Sequence, residues 1–139
     1  MLLILLLLLA LPVLLVALVL FLVWPGAPRA ALRQPFCGRS YAHRGLFGTQ
    51  QRPPENSLPA FAAAARSGYG IELDVQFTKD RQLVVFHDDT LDRMTSARGG
   101  VDSTPWPVVS TLALAGSGEH APLFSEVLRT VARANPATP

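Results

Sequence analysis

The chain has 139 residues, 50% of them hydrophobic, a formal net charge of +2 and a single cysteine. That length sets a prior of one small domain. The arginines are scattered among acids without a basic stripe, which excludes a nucleic-acid surface, and Cys37 alone excludes an internal disulfide framework or a cysteine-rich zinc site.

The hydrophobic residues are concentrated at the front. Met1 to Trp24 carries no charged side chain, and about 20 apolar residues suffice to cross a bilayer core of about 30 Å as a helix. Trp24 stands where an interfacial aromatic anchor would. Residues 1–24 therefore read as a transmembrane helix or signal anchor. A cleaved signal peptide is the alternative, with Ala27, Ala30 and Ala31 as small residues at the cleavage site, but the segment lacks the basic n-region. Arg29, Arg33 and Arg39 follow the segment and no basic residue precedes it, so the expectation is a single-pass membrane protein whose C-terminal domain the positive-inside rule would keep cytoplasmic, with a translocated domain as the alternative. Residues 25–39, with Pro, Gly and Arg and no sustained period, read as a juxtamembrane linker, and residues 40–139 as the folded domain.

Within that domain, Ser40 to Arg44 reads as a short strand feeding a loop through Thr49 to Pro54. The stretch PENSLPAFAAAARSG then predicts a helix. Asn56 or Ser57 can cap it, Pro59 falls in the first turn, and Leu58, Phe61, Ala62 and Ala65 follow the i, i+3, i+4, i+7 period, with Gly68 suited to the C-terminal cap. Strand, helix and following strand make a βαβ unit, which places the loops that carry chemistry at the carboxyl ends of the strands.

Gly70 to Asp88, GIELDVQFTKDRQLVVFHD, reads as two strands joined by too few residues for a parallel return, hence an antiparallel hairpin. Residues two apart share a strand face, so Glu72 and Asp74 are expected on one side and Leu73, Val75 and Phe77 on the other. With Asp80 and Arg81 as central turn residues, the register puts Asp74 opposite His87 and Glu72 opposite Asp89. Beyond the hairpin, Asp88 to Trp106 is polar and aperiodic, long for a structureless loop and therefore read as functional. Pro107 to Gly118 gives only a weak apolar segment. Pro122 to Ala134 predicts a helix on the spacing of Leu123, Val127 and Val131, and the closing NPATP breaks regular structure.

The residues with chemical potential cluster in these segments. His43 and His87 can act as general acid and base. Glu72 and Asp74 offer hard oxygen ligands for a divalent cation, Mg²⁺ or Ca²⁺, and Arg44 offers a planar fork for a phosphate oxygen. Together they suit phosphoryl transfer. Each also has a plainer reading taken singly: a capped strand end for His43, a surface charge for Arg44, a hairpin residue for His87, and helix-terminal roles for Glu55 and Asn56.

Four segments in order, AHRG (42–45), PENS (54–57), IELDVQFTKD (71–80) and VVFHDDTLDR (84–93), closely resemble the successive motifs of the glycerophosphodiester phosphodiesterases, and APLFSEVL (121–128) resembles that family's next helix. The resemblance implies an α/β fold, the N-terminal part of a (β/α)₈ barrel, hydrolysing glycerophosphodiesters to glycerol 3-phosphate and an alcohol with a divalent metal. It implies acid and base roles for His43 and His87, phosphate contact for Arg44, metal ligation by Glu72 and Asp74, and a place at the edge of the site for Glu55 and Asn56. In the mechanism it implies, a glycerol hydroxyl attacks phosphorus while one histidine takes its proton and the other protonates the leaving alkoxide.

The family's third metal carboxylate lies on the strand after the helix matched by Pro122 to Ala134, and neither Glu119 nor Glu126 stands in that position. A complete barrel needs about 250 residues. The expectation is thus an incomplete barrel with an exposed sheet edge, prone to aggregate or dependent on its missing half. Two alternatives remain: a membrane-tethered fragment or binding module without turnover, and a related phospholipase-type phosphodiesterase acting on a phospholipid headgroup.

Overall fold

The computed structural model describes residues 2–24 and 30–139, with side chains described over 9–24 and 32–139. The chain divides into two units, Met1–Cys37 and Gly38–Pro139. The first contains helix α1 (Leu2–Val23), with Pro12 inside it, then the short helix α2 (Ala30–Arg33) and a single 3-10 turn at Gln34–Phe36. The expected linker therefore has local helical structure after Ala30, while residues 25–29 lie outside the described residues. Described side chains of α1 such as Leu11 and Phe21, and Trp24 just after it, are exposed. Among the described residues no helix is long and apolar enough to cross a membrane, so the expected transmembrane span has no support in the fold.

The second unit opens with the expected βαβ arrangement. Strand β1 (Tyr41–His43) pairs in parallel with β2 (Gly70–Glu72), and helix α3 (Leu58–Arg66) connects them. The local chemistry explains α3. Ser57 is its N-cap: the hydroxyl accepts from the Ala60 N–H at 3.4 Å and donates to the Pro54 carbonyl at 2.7 Å, leaving Asn56 free of the capping task. Pro59 sits in the first turn, where no amide donor is needed, and Gly68 follows the helix at φ +76°. Ala60, Phe61, Ala64 and Ala65 are fully buried.

The expected long hairpin is divided. Glu72 ends β2 in the parallel ladder, whereas β3 (Val75–Phe77) pairs antiparallel with β4 (Leu83–Val85) in a separate two-stranded sheet. Glu72 is therefore not opposite Asp89. The register of that pair also differs by one residue from expectation, because Val75 faces Val85 and Phe77 faces Leu83. The Thr78 N–H donates to the Gln82 carbonyl and Arg81 takes φ +62°, so the connection is a three-residue loop rather than a two-residue turn. Asp74 consequently meets Phe86, whose N–H donates to its carbonyl at 3.1 Å, and the expected cross-strand pair of Asp74 with His87 is not formed. Val75 and Phe77 are exposed, and the Arg81 guanidinium lies 4.3 Å over the Phe77 ring.

Strand β4 sits between two apolar clusters, as alternation along a strand allows. Val84 belongs to one with Phe86, Leu91, Met94, Val101, Val109 and Leu114, and Val85 to the other with Phe61 and Val127. The segment after β4, which reads as a structureless loop, thus contributes core residues. It is folded back on itself, Leu91 N–H to Gly99 carbonyl and Val101 N–H to Asp89 carbonyl. Next comes the single turn α4 (Trp106–Val109), started by Asp80, whose carboxylate accepts from the Trp106 N–H at 2.8 Å. Helix α5 (Phe124–Ala134) is capped by Glu126 accepting from the Leu123 N–H, and packs on the Phe61 side of β4. The closing residues meet β2 at one point, where the Ile71 N–H donates to the Pro139 carbonyl, and meet α3 where the Asn135 amide donates to the Ala65 carbonyl.

Phe61 is fully buried between α3, β4 and α5, so Phe61→Ala is expected to destabilise the unit by about 3–5 kcal/mol. Arg98→Ala, at an exposed pair with Asp92, is expected to change stability by less than about 0.5 kcal/mol. Urea unfolding followed by circular dichroism measures both.

Candidate active site

The parallel register puts His43 beside Glu72 at the carboxyl ends of β1 and β2. Ligands of α/β sheets bind outside these strand ends. The two side chains lean toward each other, with His43 Nε2 3.7 Å from Glu72 Oε2, beyond hydrogen-bond reach, and both are largely open to solvent. Immediately after β1 the backbone reverses: Arg44 takes φ +59° and Gly45 φ +83°, and a Cβ on Gly45 would meet Ala60 at 3.0 Å. The turn presses the loop onto α3 and sends Arg44 back over the strand ends, held by its N–H on the Glu72 carbonyl at 2.9 Å.

Arg44 then meets a buried carboxylate. Its Nη1 donates to Glu55 Oε1 at 2.9 Å, and its Nε lies 3.7 Å from Asp74 Oδ2. Glu55 is only 5% exposed, and its loop is tightened by Gln51, whose amide donates to Glu55 Oε2 and accepts from the Glu55 N–H. Burial would push the Glu55 carboxyl up, but hydrogen bonds from Arg93 and Arg44 outweigh it and hold the group below its ordinary value.

Asn56 follows at φ +55° and gives its N–H to the Arg44 carbonyl. Both polar atoms of its side-chain amide are buried without a partner, as are Arg44 Nε and Asp74 Oδ2. Unpaired buried polar atoms cost about 1–3 kcal/mol each. Their grouping around Arg44 marks a place where a polar ligand would be stabilised.

His87 arrives from β4. Its Nδ1 lies 2.6 Å from Asp88 Oδ1, and Asp88 is gripped by Arg93, Nε to Oδ2 at 2.6 Å and Nη2 to Oδ1 at 2.9 Å. The Arg93 hydrogen bonds, opposed by burial and joined by the His87 contact, draw the Asp88 carboxyl down to about 2. An ionised carboxylate only accepts, so His87 Nδ1 carries a proton here, and in the uncharged imidazole the lone pair falls on Nε2. Arg93 also reaches Glu55, Nη2 to Oε1 at 2.6 Å and Nη1 to Oε2 at 3.2 Å. A continuous chain of ionic hydrogen bonds therefore runs Arg44, Glu55, Arg93, Asp88, His87.

Of the seven residues singled out in the sequence, Arg44, Glu55 and His87 lie on this chain, His43 and Glu72 stand side by side at its Arg44 end, and Asp74 and Asn56 carry unpaired polar atoms there. Sequence reasoning missed Asp88, Arg93 and Gln51. Arg93 lies within FHDDTLDR, but no periodic spacing relates it to Glu55, 38 residues away. The metal expectation meets a partial donor set. Glu72 and Asp74 are hard oxygen donors and Asp74 Oδ2 is buried without a hydrogen-bond partner. This suits a cation that keeps waters and takes substrate phosphate oxygens, although among the described residues no group of three or more His, Cys, Asp or Glu converges.

Comparison with known proteins places this geometry. Residues 43–136 match the glycerophosphoryl diester phosphodiesterase family. A glycerophosphodiester phosphodiesterase of Bacillus altitudinis is 39% identical over 102 residues, which cover 66% of this chain and 39% of that protein. A phosphodiesterase of Oleispira antarctica, solved in complex with the product sn-glycerol-3-phosphate, is 30% identical with a TM-score of 0.64, over 73% of this chain and 42% of that one. A glycerophosphodiester phosphodiesterase of Agrobacterium tumefaciens is 31% identical with a TM-score of 0.61, over 70% and 44%. The chain spans about two fifths of the length of these relatives. The solved relatives are (β/α)₈ barrels, and the α/β unit described above corresponds to part of one. From the motif order, the strand-end placement of His43 and Glu72 and the match over residues 43–136, the chain belongs to the glycerophosphoryl diester phosphodiesterase family.

Proposed function

We propose that this chain carries the two-histidine half of a glycerophosphodiester phosphodiesterase site, cleaving glycerophosphodiesters to glycerol 3-phosphate and an alcohol. The observation that carries the reading is the ionic chain from Arg44 to His87, which ties the loop after β1 to the segment after β4 at one end of the strands. In this reading Arg44, with Nε unpaired, takes a phosphate oxygen, and the buried amide of Asn56 completes its hydrogen bonds on the bound diester. His87 Nε2 holds the lone pair that accepts the proton of the attacking glycerol hydroxyl. His43, open to solvent beside Glu72, gives a proton to the leaving alkoxide. The cyclic phosphate so formed is then opened by water, with the two histidine roles reversed, to give glycerol 3-phosphate. Glu55 fixes Arg44. Glu72 and Asp74 would hold Mg²⁺ or Ca²⁺, which supplies neutralisation of charge on the phosphoryl oxygens when bound.

A second reading is a binding module without turnover. It shares the phosphate contact and lacks the hydrolysis. For the first unit we propose a bilayer anchor. The support is composition alone: residues 2–23 are apolar throughout. Extraction of membranes with carbonate leaves an anchored chain in the pellet and releases a peripheral one.

Three measurements test the site. Release of glycerol 3-phosphate from glycerophosphocholine by the purified chain with Mg²⁺ or Ca²⁺ is expected to fall by about 10²–10⁴ in His43→Ala and in His87→Ala, and to stop with a chelator. A folded preparation that binds glycerol 3-phosphate but releases none supports the binding module instead.

Arg44→Ala is expected to weaken binding of glycerol 3-phosphate, followed by calorimetry, by about tenfold or more, since hydrogen bonds to charged groups contribute about 1.5–3 kcal/mol.

The third concerns acid. Asp88 is held at about 2 against an ordinary 3.8, so its contribution is complete above the unfolded value and disappears as pH falls from about 4 to about 2. Wild-type protein is expected to lose stability across that window, and Asp88→Asn to lose on the order of 2 kcal/mol at neutral pH with a flatter acid limb.

A further inference from the structure

We propose that Arg93 is a positioning residue that sets His87 and Arg44 together, through two carboxylates, and makes no contact with substrate. The inference rests on the function proposed above and assigns a role that the reaction itself leaves unassigned.

A guanidinium has five N–H groups in one plane. In Arg93, Nε donates to Asp88 Oδ2, Nη2 to Asp88 Oδ1 and Glu55 Oε1, and Nη1 to Glu55 Oε2 and to Met94 Sδ at 3.1 Å. All five are engaged within the protein. None is left for a phosphate. Arg44 differs, with one N–H on Glu55 and its Nε 3.7 Å from Asp74 Oδ2 without a hydrogen bond, so of the two arginines at this site Arg44 alone keeps donors for an anion.

Each carboxylate held by Arg93 orients a functional group with the same oxygen. Glu55 Oε1 accepts from both Arg93 and Arg44; Asp88 Oδ1 accepts from Arg93 and from His87. Without Arg93, Asp88 keeps only His87 and is free to rotate off Nδ1, and buried Glu55 keeps only Arg44 and Gln51. The fork is required rather than the charge. A lysine ammonium is a point donor that cannot lie flat between two carboxylates. The segment carrying Arg93 is fixed by Leu91 and Met94, both buried in the core cluster, so the guanidinium is presented from a rigid base.

The test reads the tautomer of His87 directly. Full-length protein with ¹⁵N-labelled histidine gives the proton occupancy of each ring nitrogen by NMR at a pH where the ring is neutral, with His43 and His120 assigned by substitution. In wild type His87 is expected to hold its proton on Nδ1; predominance of the Nε2–H form in wild type would overturn the proposal even if no variant folds. In Arg93→Lys and Arg93→Gln, checked for folding by urea midpoint, the Nδ1–H population is expected to fall several-fold and affinity for glycerol 3-phosphate to weaken about tenfold. Arg98→Gln is expected to change neither.

If Arg93→Lys keeps the wild-type tautomer and affinity, charge alone suffices and positioning by the fork is wrong. Failure of the functional reading looks different: wild type then neither binds nor releases glycerol 3-phosphate, while the tautomer shift still decides the role of Arg93.

Discussion

Glu55 is a carboxylate that the fold places almost entirely out of water, and the site is organised around that fact. An unpaired buried carboxylate is strongly unfavourable, and one paired with a single cation is sensitive to the loss of it. The chain meets the requirement with two arginines from separate loops, Arg44 after β1 and Arg93 after β4, and with Gln51 from its own loop. Because those cations must converge on Glu55, the loops that carry them must converge as well. The histidine at each end of the network, His43 next to Arg44 and His87 on Asp88, is thereby carried on loops tied to each other.

The backbone serves the same arrangement. Arg44 and Asn56 both adopt left-handed conformations and are joined by a hydrogen bond from the Asn56 N–H to the Arg44 carbonyl. Such conformations cost on the order of 1–3 kcal/mol for residues other than glycine. Here they fold the loop so that Glu55 turns inward while Arg44 arches over it. Asn56, relieved of capping by Ser57, keeps its amide for another partner. Segments that are apolar and deeply buried, α3 and β4 with Phe61, Val84 and Val85, supply the rigid floor under these loops.

The parts legible in the sequence were those governed by short-range rules. Helix α3 follows from its period, from Ser57, Pro59 and Gly68; the parallel β1 and β2 follow from the helix between them. The hairpin register was not legible, because Lys79, Asp80 and Arg81 are compatible with either a two- or a three-residue loop. Only Arg81 at φ +62° decides between them, and the change moves Asp74 from His87 to Phe86. Likewise the run after β4 looks polar, yet Leu91, Met94 and Val101 point into the core. The role of Arg93 was hidden for a related reason. Its partners lie in two distant segments, and the contact exists only after the core around Leu91 and Met94 has formed.

The coupling of the two loops through one arginine is the central claim, and a double-mutant cycle on stability with Glu55→Gln and Asp88→Asn measures it most directly. These side chains do not contact each other but share Arg93. A coupling energy of about 0.5–3 kcal/mol is expected for residues in one network. Additivity within about 0.3 kcal/mol, with both single variants folded, would show that the loops are held independently and would contradict the account.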